Sequence, residues 1–270
     1  MDRQALVCRN ILEKPDITQR EMAKNMDISL GTVNGLVKEC LAEGYIAEEE
    51  NGKEKHLILL EKGKELLKPY KVDGALIIAA GFGSRFVPLT FETPKGLLEV
   101  FGERMIERQI KQLHEVGIYD ITIVVGYLKE KFEYLIDKFD VKLLYNPEYS
   151  CKNTLATVYR ARKFLKGRNV YILSSDNWMR ENMYHSYECG AWYSAAHEEG
   201  ETKEWCLTFN KKGRISDVNV GGKDAWFMYG PVYLSREFSA RFLPVLEAYY
   251  QIPGTEQFYW EQPYVDMLKG

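Results

Sequence analysis

Long apolar runs are missing from this chain. The longest, Ala75 to Ala80, is far short of the roughly 20 residues a membrane helix requires. The first residues, MDRQALVCRNILEK, interleave charge with apolar side chains, so no signal peptide is expected either, and no membrane insertion. Cysteine is scarce. Cys8, Cys40, Cys151, Cys189 and Cys206 are odd in number, scattered and without a CxxC pair, which argues against a disulfide framework and fits reduced thiols in a cytoplasm. An excess of charge of either sign is lacking too: 36 Lys plus Arg stand against 39 Asp plus Glu. A net charge of −3 makes no long-range field that would collect nucleic acid or anionic lipid, so any anion must be held by local geometry. His114, His185 and His197 share no metal-ligand spacing. No internal repeat or low-complexity tract is visible.

What is present is enough for two domains: 270 residues, 46% hydrophobic and 28% charged. From Asp2 to Tyr70 the pattern is three short helices, a hairpin and a closing helix. Pro15 and Asp16 stop the first helix, and Thr18 with Glu21 three residues on reads as a capping box for the second. In the third, Val33, Leu36, Val37, Cys40 and Leu41 share one face. Tyr45-Ile46, the tip at Asn51-Gly52 and the run His56 to Leu60 read as a two-stranded wing. Residues 1–70 therefore look like a winged helix-turn-helix. DNA is a candidate partner, through Ser29, Thr32, Asn34 and Lys38 on the recognition helix and Lys53 and Lys55 on the wing. Against this stand 11 Lys plus Arg and 13 Asp plus Glu in the segment, a poor balance for phosphate contacts, and a dimerisation or interaction module explains the pattern equally well.

Lys68 to Gly74 reads as the boundary, with Pro69 ending the helix before it. Beyond it, over residues 74–270, apolar runs at 75–80, 121–125 and 170–173 alternate with helical stretches near 104–116, 128–138 and 154–165. That alternation predicts an α/β fold, a mostly parallel twisted sheet with helices on both faces. The first strand runs straight into Gly81-Phe82-Gly83-Ser84-Arg85, where two glycines allow a tight turn and bring backbone N–H groups to phosphate oxygens. Arg85 is placed to neutralise a polyphosphate, and Lys95 follows in a Pro-fixed turn, Thr93-Pro94-Lys95. A dinucleotide fingerprint is disfavoured because Phe86 stands where it wants a third glycine, and no GK[ST] follows for a P-loop.

The longer string AAGFGSRFVPLTFETPKGLLEV resembles the signature of the sugar-phosphate and choline-phosphate nucleotidyltransferases, which have a Rossmann-like sheet. The resemblance runs through most of residues 74–267 and is nearest to the bacterial choline-phosphate cytidylyltransferases. It implies a nucleotide site at Ala79, Ala80, Gly81, Gly83, Ser84, Arg85, Tyr127, Asn146 and Asn153, with Lys95, Arg85 and Asp176 as catalytic residues. It implies Mg²⁺ held by Asp176 and by Glu261, the latter in Tyr-Trp-Glu-Gln where the family has Tyr-Trp-Asp-Asn. Ser174 departs from a second aspartate common in the family. Trp205 and Tyr259 are implied as aromatic walls for a quaternary ammonium, with Glu204 adding negative charge beside them.

The expectation is thus an enzyme that joins CTP to phosphocholine by in-line attack, releasing pyrophosphate, with no covalent enzyme intermediate. Trp192, Trp226 and Phe227 are expected only to pack. Alternatives are 2-aminoethylphosphonate or a hexose 1-phosphate as acceptor, or a transcription regulator sensing nucleotide and choline metabolites. A homodimer is a candidate assembly. The family commonly continues past the Tyr-Trp-acid segment, so a longer polypeptide is also expected.

Overall fold

The computed structural model describes residues 2–51 and 54–269. They form two compact units: Met1–Lys71 together with Tyr187–Gly190, and Val72–Ser186 together with Ala191–Gly270.

In the first unit, α1 (Arg3–Glu13) starts where the Asp2 carboxylate accepts from the Gln4 and Ala5 N–H groups. The Thr18–Glu21 capping box forms at the head of α2 (Gln19–Asn25), both reciprocal bonds being present. Helix α3 (Leu30–Ala42) buries Val33, Val37 and Cys40, an i, i+4, i+7 stripe. Strands β1 (Ile46–Asn51) and β2 (Glu54–Leu59) pair antiparallel from Ile46↔Leu59 to Asn51↔Glu54, and α4 (Glu61–Leu67) closes the unit. Lys53 and the side chain of Lys55, both expected on the wing, lie outside the described residues. The core is Val7, Ile11, Met22, Val33, Val37, Ile46 and Leu67. The four residues that return to this unit late in the chain were not expected. Arg9 donates to the Tyr187 carbonyl and pairs with Glu188 at 2.9 Å, both side chains largely buried, and Cys189 joins the core.

The second unit is built on a six-stranded sheet. Its first elements are β3 (Gly74–Ala79), a small hairpin of β4 (Glu99–Val100) and β5 (Glu103–Arg104), α5 (Met105–Glu115) and β6 (Ile121–Val125). Then come α6 (Tyr134–Phe139), β7 (Lys142–Tyr145), α7 (Thr154–Arg160), α8 (Arg162–Leu165) and β8 (Val170–Ser174). The long hairpin β9 (Trp192–Phe209) and β10 (Ile215–Leu234), then α9 (Arg236–Gln251) and α10 (Gln262–Lys269), complete it. The order is β7-β6-β3-β8-β10-β9: β7, β6, β3 and β8 are parallel, and β10 and β9 add antiparallel.

Alternation along β3 makes two cores. Ala75, Ile77 and Ala79 face Ile106, Ile110 and Leu113 of α5. Leu76 and Ile78 face Leu155 and Val158 of α7, Leu165 of α8 and Phe242 and Leu246 of α9. A strand covered on both sides can be apolar throughout, which is why 75–80 reads as an unbroken run. The carboxyl ends of β3, β6, β7 and β8 point the same way. A parallel sheet of this kind leaves its ligand crevice there.

Candidate active site

At the end of β3 the chain leaves through Ala80 into the glycine loop. Gly83 has φ +69°, a left-handed turn that a side chain disfavours, and Thr90, fully buried, donates its hydroxyl to the Gly83 carbonyl at 3.1 Å. Ser84 and Arg85 beyond it are exposed. Tyr127 braces the loop: its N–H donates to the Ala80 carbonyl at 3.1 Å and its hydroxyl to Phe91 O at 3.0 Å, with Phe82 edge-on at 4.7 Å. Tyr127 was expected at the nucleotide, but its hydroxyl proton is spent on holding the loop.

Lys95 and Asp176, distant in sequence, form an ion pair, with side-chain exposures of 23% and 27%. The Lys95 ammonium also lies over the Phe86 ring, 4.4 Å from its centre. Two contacts of opposite kind therefore orient one cation. Close approach behind the pair comes from Gly96: a Cβ there would stand 2.6 Å from Ser175 Cβ and 3.0 Å from its carbonyl oxygen. Ser175 N–H in turn donates to Ile78 O at 3.0 Å, fixing this stretch to β3. Gln109 donates to the carbonyls of Ser174 and Asn177 and fixes the other side.

Beside the glycine loop lies a cleft of about 230 Å³, lined by Ile78, Ala80, Gly81, Tyr149, Ser150, Cys151, Lys152, Asn153, Thr154, Thr157 and Gln257. It gathers Ala80, Gly81 and Asn153, and Tyr149 of the stretch before Asn153; Ile78, Ser150, Cys151, Lys152, Thr154, Thr157 and Gln257 were not singled out from the sequence. Asn153 caps α7, its Oδ1 accepting from Thr154 N and its amide donating to Gln257 O, so it shapes the wall. Asn146, also expected at the nucleotide, is fully buried, donating to Thr157 Oγ1 and accepting from Glu148 N.

The two aromatic residues expected to wall the acceptor do meet. Trp205 and Tyr259 stand edge to face with ring centres 5.9 Å apart, Tyr259 half exposed. Glu204, expected beside them, is exposed in β9 next to Trp205. Trp226, expected to pack, is 49% exposed and edge-on to His197. Glu261 accepts the Tyr193 hydroxyl at 2.9 Å. Loss of water pushes its carboxyl up to about 7, against a smaller downward pull from hydrogen bonds. Among the described residues no three His, Cys, Asp or Glu side chains gather as a metal cage.

In the first unit Ser29 caps α3, accepting from Thr32 N, and its hydroxyl is hydrogen-bonded to that of Thr32. These two serve the helix start, while Asn34 and Lys38 are exposed on α3. No helix among the described residues is long and apolar enough to cross a membrane.

Comparison with known proteins agrees with this geometry. The Nucleotidyl transferase family profile matches residues 74–198 and the Winged helix-turn-helix DNA-binding profile residues 9–47. A choline-phosphate cytidylyltransferase of Streptococcus pneumoniae is 32% identical over 195 residues, 72% of this chain and 84% of that protein. A 2-aminoethylphosphonate cytidylyltransferase of Lancefieldella rimae is 34% identical over 189 residues, 69% of this chain and 77% of that one. The solved CTP:phosphocholine cytidylyltransferase of Streptococcus pneumoniae superimposes with a TM-score of 0.70, covering 74% of this chain and 86% of that one. A UDP-glucose pyrophosphorylase, 15% identical with a TM-score of 0.56, shares the fold. With a glycine loop, a lysine–aspartate pair at the sheet's carboxyl edge and relatives of this extent, the chain belongs to the cytidylyltransferases of the nucleotidyltransferase family and is a nucleotidyltransferase enzyme with a winged helix-turn-helix unit.

Proposed function

We propose that the enzyme makes CDP-choline and pyrophosphate from CTP and phosphocholine. The observation that carries the acceptor is the Trp205–Tyr259 corner. A quaternary ammonium donates no hydrogen bond, so a site selecting it needs aromatic faces, each worth roughly 0.5 to 2 kcal/mol. Seating CTP in the cleft of Ala80, Gly81 and Cys151 to Thr154 leaves its phosphates to the glycine loop, where N–H groups and Arg85 hold them. Lys95, already oriented by Asp176 and Phe86, offsets charge growing around the α-phosphorus as a phosphocholine oxygen attacks. Positioning of this kind supplies most of the acceleration in phosphoryl transfer.

Asp176 and Glu261 carry the hard carboxylate oxygens that Mg²⁺ takes, and Glu261 accepts the Tyr193 hydroxyl. When bound, the ion would neutralise the reacting phosphates. Asp176, which pairs with Lys95, and Glu261 are the residues that would hold it.

The likeness to a 2-aminoethylphosphonate cytidylyltransferase favours a second acceptor with a primary amine. One panel decides: pyrophosphate release from each of four NTPs with phosphocholine, 2-aminoethylphosphonate and glucose 1-phosphate. The highest kcat/KM is expected for CTP with phosphocholine. Preference for aminoethylphosphonate would replace the acceptor, and preference for another NTP or the hexose phosphate would overturn the proposal. For the first unit, exposed Asn34 and Lys38 favour contact with a DNA duplex. A gel shift with the gene's own promoter region, lost in Lys38→Ala, tests that role.

A further inference from the structure

The nucleotide cleft and the acceptor wall are sewn together. Segment 255–260 leaves α9 anchored by Thr255, buried, whose hydroxyl is within hydrogen-bond reach of the carbonyls of Tyr249 and Ile252. It then runs along the start of α7 through five hydrogen bonds. Asn153 N donates to Glu256 O at 2.7 Å and Leu155 N to Phe258 O at 3.1 Å. The Gln257 side-chain amide donates to Cys151 O at 2.9 Å, and the Asn153 amide to Gln257 O at 3.2 Å. Last, Trp260 N donates to Thr154 Oγ1 at 3.1 Å.

Tyr259 is therefore held on both sides. Phe258 before it is tied to Leu155, and Trp260 after it, only 6% exposed, is tied to Thr154 and packed into the core against Phe242. Its ring meanwhile stays half exposed, edge-on to Trp205. Thr154 and Gln257 each line the nucleotide cleft with one side chain while bonding across this seam. A nucleotide that settles against residues 151–154 removes freedom from the strip that sets the direction of Tyr259.

We infer that Thr154, supported by Gln257, is a positioning residue through which the seated nucleotide aligns Tyr259 and so raises affinity for the acceptor. This rests on the proposed cytidylyltransferase reaction. The coupling must be reciprocal: if the nucleotide tightens acceptor binding by some factor, the acceptor tightens nucleotide binding by the same factor. Thr154→Val keeps the shape and removes the acceptor of the Trp260 N–H, and Thr154→Ser keeps that acceptor.

The experiment measures kcat, KM for acceptor and KM for nucleotide, and titrates the nucleotide by calorimetry with and without acceptor. It uses the full-length chain and whichever pair the substrate panel turns over. In Thr154→Val the acceptor KM should rise about tenfold, the scale of one hydrogen-bond acceptor lost. The mutual enhancement seen by calorimetry should shrink by the same factor, and Thr154→Ser should restore both. Gln257→Ala, at an exposed position, should shift the same quantities in the same direction and decides the matter should Thr154→Val not fold. Equal defects in the valine and serine variants, a rise confined to nucleotide KM, or unchanged mutual enhancement in Gln257→Ala would overturn the inference. A wild-type chain that turns over no NTP with any acceptor would instead overturn the reaction itself.

Discussion

Lys95 meets Asp176 because Gly96 has no side chain. The carbon that alanine would add falls against the backbone oxygen of Ser175, which cannot swing aside as a flexible side chain would. Gly96→Ala should therefore cost about 10²-fold in kcat through misplacement of Lys95, with a smaller effect on the thermal midpoint. Lys95→Ala should lower kcat by about 10² to 10³-fold while circular dichroism stays native. Normal turnover in that variant would remove Lys95 from the mechanism. At the acceptor end, Trp205→Ala should raise acceptor KM about 2- to 30-fold, the range of one aromatic face against a cation, and Tyr259→Phe, which keeps the face, should change it little. A sensitivity of Tyr259→Phe equal to that of Trp205→Ala would point to the hydroxyl and to a primary-amine acceptor. Lys95 stands out in the sequence because its neighbours form a long unusual string, and Trp205 and Tyr259 because short segments around them resemble the family's. What the sequence does not show is how such groups are used internally: only the fold reveals that Asn146, Asn153 and Tyr127 are bonded to Thr157, Gln257 and Phe91.

At the scale of elements, local grammar served well where a helix start is a matter of three or four consecutive residues. Thr18 and Glu21 are such a case. The Lys14 ammonium first, then the Thr18 N–H and hydroxyl, hold the Glu21 carboxyl down to about 2 from its ordinary 4.5. With the folded value depressed, the unfolded chain takes up the proton more readily. The stabilisation is complete above about pH 4.5 and fades as pH falls towards 2. Glu21→Gln should therefore lower the thermal midpoint of the winged-helix unit at pH 7, and the gap to wild type should narrow at pH 3.5. A gap independent of pH would mean that the charge plays no part. Thr18→Ala removes the cap and should cost about 1 kcal/mol at pH 7, less where Glu21 is protonated. Grammar of this kind fails where pairing is long-range. The cleft's wall needs residues 149–154 beside Gln257, a seam between segments a hundred residues apart that no period or cap announces.

At the scale of the whole molecule, the boundary near residue 71 was readable from composition, but the return of Tyr187–Gly190 to the first unit was not. Four residues with one cysteine and one glutamate give no periodic signal. Their place is set by Arg9, which balances Glu188, and by a core that accepts Cys189. The cysteines turn this into a measurement. Of five, only Cys151 is exposed, at the wall of the nucleotide cleft, whereas Cys8, Cys40, Cys189 and Cys206 are buried. A thiol reagent should therefore modify one cysteine in the native chain and five after denaturation, and CTP should slow the native reaction by covering Cys151. A chain of residues 72–270 loses the core that shelters Cys189 and leaves Glu188 without Arg9, so Cys189 should become the second reactive thiol. In the full chain, Arg9→Ala removes the largely buried Arg9–Glu188 ion pair. It should speed Cys189 modification without affecting Cys151. If Cys189 stays protected in both, the winged-helix core is not what shelters residues 187–190, and the nucleotidyltransferase unit folds over that segment by itself.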